Sequence, residues 1–178
     1  GLVRVGDLAY ALEGTVVDLG LFARQPLLWV ANPSLQAFAP CRESWDRHME
    51  SNLRAPFVLT QGFAEQAPRA GMDTRGEPIA RALVINMIDQ RVRKLTPEFA
   101  SYTIAKMGLW ALTRTAAQAL APAIRVNAIG PGPTLRGARQ SEEHFARQRA
   151  GTVLERGSDP DDITAALGYL IDAKAVTG

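Results

Sequence analysis

An α/β fold built on a parallel sheet is what this sequence predicts, and three observations predict it. Leu27 to Ala31 (LLWVA), Ala82 to Ile88 (ALVINMI) and Ile124 to Ile129 (IRVNAI) are apolar runs of strand length, rich in branched side chains. The first is apolar without alternation, the pattern of a strand buried on both faces. Stretches with helix start signals or three-and-four apolar spacing lie between these runs, and Pro or Gly marks their ends.

The elements follow in order. Gly1 to Gly6 (GLVRVG) reads as a short strand, and Asp7-Leu8 leads into a helix over residues 9–25 with Asp7 in a capping place. Gly14, Gly20 and the Thr15-Val16-Val17 cluster weaken that helix. Leu27 to Ala31 runs into Asn32-Pro33-Ser34. Ser44 reads as an N-cap for a helix from Trp45 to about Ala67, and Pro56 inside it predicts a kink or break near Asn52. Residues 68–81 are polar and rich in Gly and Pro, which predicts a flexible loop. After the strand at Ala82 to Ile88, Thr96-Pro97 signals a helix start. That helix carries a buried stripe of Tyr102, Ala105, Leu109, Leu112, Ala116 and Leu120, with Trp110 off the stripe and Pro122 at the end. Ile124 to Ile129 is the next strand, closed by the turn residues Gly130-Pro131-Gly132-Pro133-Thr134. Residues 135–150 are polar and contain Arg136, Arg139, Arg147 and Arg149. Ser158 and Asp161 predict a capping box for a last helix with a stripe of Ile163, Ala166, Leu167, Leu170 and Ile171.

Composition bounds the function. The chain has 178 residues, enough for one domain with a sizeable core. A formal charge of +2, with scattered basic residues, argues against a nucleic-acid surface. The single cysteine, Cys41, forms no internal disulfide and fits a reducing compartment; no His/Cys pattern suggests a metal. Prolines break the longest uncharged run, so no membrane span is expected, and no signal peptide is expected in these residues.

The chemistry concentrates between Ala82 and Lys106. Tyr102 and Lys106 are four residues apart on one helix face. An ammonium beside a phenol favours the phenolate, lowers its pKa and eases proton transfer near neutral pH. Asp89 stands thirteen residues before Tyr102, just past a strand end, where ligands bind in open α/β sheets. The spacing alone also fits an ordinary amphipathic helix. His48 reads as a helix-surface residue and His144 as a solvent-exposed one.

YTIAK, the strand before it and IRVNAIGPGPT after it resemble the short-chain dehydrogenase/reductase family over nearly the whole chain. The resemblance implies a Rossmann-type doubly wound parallel sheet. No GxxxGxG phosphate loop occurs, so residues 1–178 are expected to form a single, incomplete dinucleotide-binding domain without the first β-α-β unit and the last strand. It implies catalytic roles for Asn52, Asp89, Tyr102 and Lys106. Asn52 would hold a relay water beside Lys106, the alternative being a polar residue that satisfies backbone freed by Pro56. It implies cofactor contacts from Asp7, Leu8, Asn32, Tyr102, Lys106, Pro131, Gly132 and Thr134, although Pro33 removes a backbone donor next to Asn32. Trp110 would sit at a subunit interface or be a partly exposed aromatic of one subunit.

The family's usual Ser is Asp89 here, which resembles the pteridine reductase and dihydromonapterin reductase subgroup. The implied activity is NADPH-dependent hydride transfer to a pteridine-type C=N or a carbonyl. The implied cofactor is NADP(H), the partner a small molecule, the assembly a homo-dimer or tetramer and the compartment the cytoplasm. Two alternatives stand beside it: a generic alcohol or 3-oxoacyl reductase, and a non-catalytic relative that binds or scaffolds.

Overall fold

The computed structural model describes residues 42–138 and 140–178. Asp7, Leu8, Asn32 and Arg139 lie outside them, as do the elements expected over residues 1–34.

A long helical segment comes first. Helix α1 (Arg42–Met49) passes without a stop into a π-helical turn (Glu50–Arg54) and then helix α2 (Ala55–Gln66). Ser44 is inside α1 and not its cap: the helix is already wound at Arg42, where Arg42 and Asp46 pair one turn apart. The expected irregularity at Asn52 is the π turn itself. Pro56 has no N–H to give, so the turn before it is where the ladder loosens, and the helix resumes with Pro56 in its first turn.

Strands β1 (Gly71–Met72) and β2 (Pro78–Ile79) form a small antiparallel hairpin where a flexible loop was expected. Asp73 organises it, its carboxylate accepting from the backbone N–H of Arg75 and of Glu77.

Strand β3 (Ala82–Met87) pairs in parallel with β4 (Ile124–Ile129), Ala82 opposite Ile124 and Met87 opposite Ile129. Helix α3 (Ala100–Leu120) crosses between them. The register puts both carboxyl ends side by side, so the Asp89 loop and the Pro131–Thr134 loop are neighbours. On its other edge, β4 is met by the chain's last residues. The Val126 N–H donates to Thr177 Oγ1, the Gly178 N–H to Val126 O, and Asn127 Nδ2 to Val176 O.

The core lies between α3 and β4, where Ala116, Ala117, Ile124 and Val126 cluster. Small side chains let helix and sheet approach closely. The helix begins at Ala100 and not at Thr96-Pro97: the Thr96 hydroxyl accepts from Arg91 and is not free to cap, and the chain turns through Phe99 at φ 61. The predicted stripe is buried at Ala105, Leu109 and Ala116, while Tyr102, Leu112 and Leu120 are half-buried. Trp110 is half-buried too. Ser101, Thr103 and Thr113 are buried polar residues on the same helix. Asn86, inside β3, donates to Thr113 Oγ1 at 2.9 Å and fastens strand to helix. A Cβ on Gly108 would stand 2.9 Å from Leu53 Cδ2, so glycine lets α3 lie against the π turn.

Helix α4 (Glu142–Ala150) is capped by Ser141, and helix α5 (Pro160–Asp172) by a capping box of Asp159 and Asp162. The box sits one residue beyond Ser158 and Asp161 because Pro160 takes the first helical position and the Ser158 hydroxyl turns instead to Pro131 O. The expected stripe of α5 is only half-buried at Ile163, Ala166 and Leu170; Leu167 and Ile171 are exposed. Among the described residues no helix is long and apolar enough to cross a membrane.

Candidate active site

Three of the expected catalytic residues meet where β3 ends. Asp89 follows the strand, and its Oδ1 accepts from the Arg91 N–H and caps a short helical turn, which aims Oδ2 outward. Tyr102, in the first turn of α3, donates its hydroxyl to Asp89 Oδ2 at 3.2 Å. Lys106, one turn further, places Nζ 5.7 Å from the Tyr102 ring centroid and donates to Met87 O at 2.8 Å. The fourth residue, Asn52, shares with Lys106 the lining of a cleft of about 600 Å³ along β3. Its amide donates to His48 O and to Ser51 Oγ within the π turn, and no direct bond joins it to Lys106.

The electrostatics reverse one expectation. Lys106 does not depress Tyr102. Burial, followed by the charge and hydrogen bond of Asp89, pushes the Tyr102 hydroxyl up to about 12, with Arg91 opposing. Burial holds the Lys106 ammonium below its ordinary value, with Asp89 opposing. Tyr102 therefore carries its proton across the neutral range, and a carboxylate is in contact with it. The pair can donate a proton, or accept a hydrogen bond from a ring amine through Asp89.

The neighbouring loop is held in shape by its own bonds. Gly132 takes φ +68, a left-handed backbone suited to glycine. Thr134 Oγ1 donates to Pro131 O and lies 2.6 Å from Ser158 Oγ. Its proton is thus spent within the loop, so toward a bound carboxamide Thr134 offers lone pairs. A cavity of about 970 Å³ opens between this loop and the Asp89–Tyr102 pair; Gly132, Asp89, Tyr102 and the α4 residues His144 and Gln148 line it. His144 is exposed, as expected.

Sequence reasoning missed two supports of this site. His48 is half-buried rather than on the helix surface: its Nδ1 lies 2.8 Å from Ser101 Oγ, and its ring meets Tyr102 edge-on at 5.6 Å. Arg149 gathers Pro133 O, Ser158 O, Gly157 O and Asp159 Oδ1 around one guanidinium. The spacing of His48 four residues before Asn52 was the available signal for the first; nothing local marks Arg149. Among the described residues no group of three His, Cys, Asp or Glu side chains stands close enough to hold a metal ion.

Comparison with known proteins places these features in context. The family model described as enoyl-(acyl carrier protein) reductase matches residues 31–178. The chain is 32% identical over 137 residues to a probable galactose dehydrogenase of Rhizobium meliloti, covering 74% of this chain and 50% of that protein. It is 30% identical over 135 residues to pteridine reductase 1 of Leishmania tarentolae, covering 72% and 45%. The crystal structure of FolM alternative dihydrofolate reductase 1 from Brucella canis, complexed with NADP, superposes with a TM-score of 0.68 at 41% identity, covering 78% of this chain and 52% of that one. The chain spans about half the length of the curated relatives it matches. The fold of the described residues is of the Rossmann type, seen also in an apo oxidoreductase from Clostridium thermocellum at 24% identity and a TM-score of 0.59.

Proposed function

Because this chain belongs to the short-chain dehydrogenase/reductase family, we propose that it is the catalytic portion of an NADPH-dependent reductase acting on a pteridine-type C=N bond. The observation that carries this reading is the Tyr102 hydroxyl on the Asp89 carboxylate at 3.2 Å, beside Lys106, at the carboxyl end of a parallel strand. Pteridine reductase 1 and the FolM dihydrofolate reductase among the similar proteins support it.

The residues fit a nicotinamide cofactor on this chain's own geometry: the Gly132 backbone has open space beside it, Tyr102 lines the same cavity as Gly132, and Lys106 Nζ lies 5.7 Å from the Tyr102 ring centroid. Pro131, Gly132 and Thr134 would border the nicotinamide, and Lys106 and Tyr102 its ribose. When bound, the cofactor supplies the hydride. Tyr102 delivers the proton to the substrate nitrogen. Asp89 accepts a hydrogen bond from a ring amine, which moves its charge away from Tyr102 and makes the phenol a better acid. Lys106 faces the phenolate that results, and Asn52, in the π turn, holds the water that returns the proton through Lys106.

The test is a turnover assay of the intact protein with NADPH and a dihydropteridine or dihydrofolate. Tyr102→Phe is expected to lower kcat by roughly 10²- to 10⁴-fold; a variant as fast as wild type sinks the mechanism. A carbonyl reductase of the alcohol or 3-oxoacyl type is the second reading, favoured by the galactose dehydrogenase relative. A substrate panel separates the two. On either reading the protein works in the cytoplasm as a homo-dimer or tetramer, with the exposed Phe57, Leu59 and Phe63 of α2 available for the contact.

A further inference from the structure

We infer that His48 is a positioning residue for Tyr102, holding the phenol ring in place from helix α1 by way of Ser101; the inference builds on the reductase reading above. The Tyr102–Asp89 bond at 3.2 Å is longer than the roughly 2.5–2.7 Å of a strong O–H···O⁻ bond. That bond alone does not fix the ring, and what packs on the ring must do so.

Lys106 lies over it at 5.7 Å, on a long flexible stem. His48 meets it edge-on, at a centroid distance of 5.6 Å and an interplanar angle of 68°, a favourable aromatic arrangement. The imidazole is itself restrained, since Nδ1 lies 2.8 Å from the hydroxyl of Ser101, a residue 2% exposed. Ser101 immediately precedes Tyr102, and His48 lies one turn before Asn52, whose amide donates to His48 O. One imidazole thus ties the start of α3 to the helix that carries Asn52. It also lines the cavity onto which Tyr102 and Asp89 open. Small rotations of the Tyr102 ring would carry the hydroxyl away from a substrate atom, and sub-ångström misplacement is costly in rate.

The experiment is steady-state kinetics on the intact protein with NADPH and dihydropteridine, comparing His48→Leu, His48→Asn, Ser101→Ala and the same changes in a Tyr102→Phe background. His48→Leu is expected to lower kcat about tenfold while the substrate KM stays within about twofold. His48→Asn, which keeps a nitrogen near the Nδ1 position, recovers most of the loss. Ser101→Ala reproduces the loss and adds nothing to His48→Leu, because the two residues act as one unit. In the Tyr102→Phe background neither change lowers kcat further.

A turnover-free readout runs alongside: in protein carrying ¹³C-labelled tyrosine, the Tyr102 ring signal, assigned by its loss in Tyr102→Phe, moves in His48→Leu and Ser101→Ala and returns in His48→Asn. Wild-type kcat in both His48→Leu and Ser101→Ala, or an unmoved ring signal in both, overturns the inference. Where His48→Leu does not fold, Ser101→Ala and His48→Asn decide it. A wild-type protein without reductase activity overturns the reductase reading separately, and the ring signal still tests the placement of Tyr102.

Discussion

Tyr102 gives its hydrogen bond to a carboxylate while an ammonium lies over its ring. Burial first and the carboxylate second make the phenol a weaker acid, with the Arg91 charge opposing them, and the hydroxyl is pushed up from 10.0 to about 12. A negative neighbour disfavours the phenolate, so removing that charge must lower the pKa. Asp89→Asn is therefore expected to move the alkaline limb of the kcat/KM profile down from about 12 toward 10.0. A pH-rate profile of the variant checks this, and an unmoved limb means that burial alone sets the value. At this scale the sequence was informative about identity and not about sign. Tyr102, Lys106 and Asp89 follow from spacing and strand position. Which of two opposite charges dominates the phenol depends on distances that one turn of helix and one loop settle only once folded. His48 shows the same limit from the other side: a lone histidine on a helix gives no sign in sequence that a buried serine fifty-three positions away will hold it.

Between elements, the Pro131–Thr134 loop owes its shape to Arg149. That guanidinium bonds carbonyls of Pro133, Gly157 and Ser158 and the Asp159 carboxylate, and lies over the Phe145 ring. Its side chain is 26% exposed, so its bonds are partly shielded. Arg149→Ala frees the loop from α4 and from the start of α5. The expected result is a loss of about 2 kcal/mol in unfolding free energy and a raised KM for NADPH, with the substrate KM less affected. Denaturant melts and dinucleotide titration measure the two parts. Strands β3 and β4 and the irregularity ahead of Pro56 were legible because apolar runs, Pro56 and turn residues act locally. The helix starts at Ala100 and Pro160 were not, because Thr96 and Ser158, the better-looking caps, are occupied by Arg91 and by Pro131 O. Long-range partners overrode local preference at both places. The hairpin of β1 and β2 was likewise missed, since the Asp73 side chain, not an alternating apolar pattern, organises it.

Across the described residues as a whole, stability rests on a narrow seam. Val126 is fully buried between β3, α3 and the chain's last residues, among alanines that leave little room for adjustment. Val126→Ala is expected to cost about 2 kcal/mol, since neighbouring alanines cannot expand to fill the space. Thermal or urea unfolding reads the loss, and kcat of the folded fraction stays near wild type because Val126 is not among the residues that line either cavity. The parallel pairing at this seam was foreseen from the apolar strands and from the family resemblance; the buried polar pair Asn86–Thr113 was not, since nothing local links Asn86, the one polar residue of its run, to a threonine 27 positions on.

The crossover between β3 and β4 also governs the order in which the site comes into being. Parallel neighbours admit no tight turn, so the Asp89 loop and all of α3 must be gathered before the ladder between Ala82–Met87 and Ile124–Ile129 forms. Asp89 and Tyr102 both ride on that connecting segment, while Gly132 lies just beyond it. During refolding, a wound α3 is expected ahead of the aligned strands, so that in stopped-flow experiments far-UV helical signal returns before the cavity forms. The Gly132 side of the cavity therefore meets its Asp89–Tyr102 side only when that ladder closes.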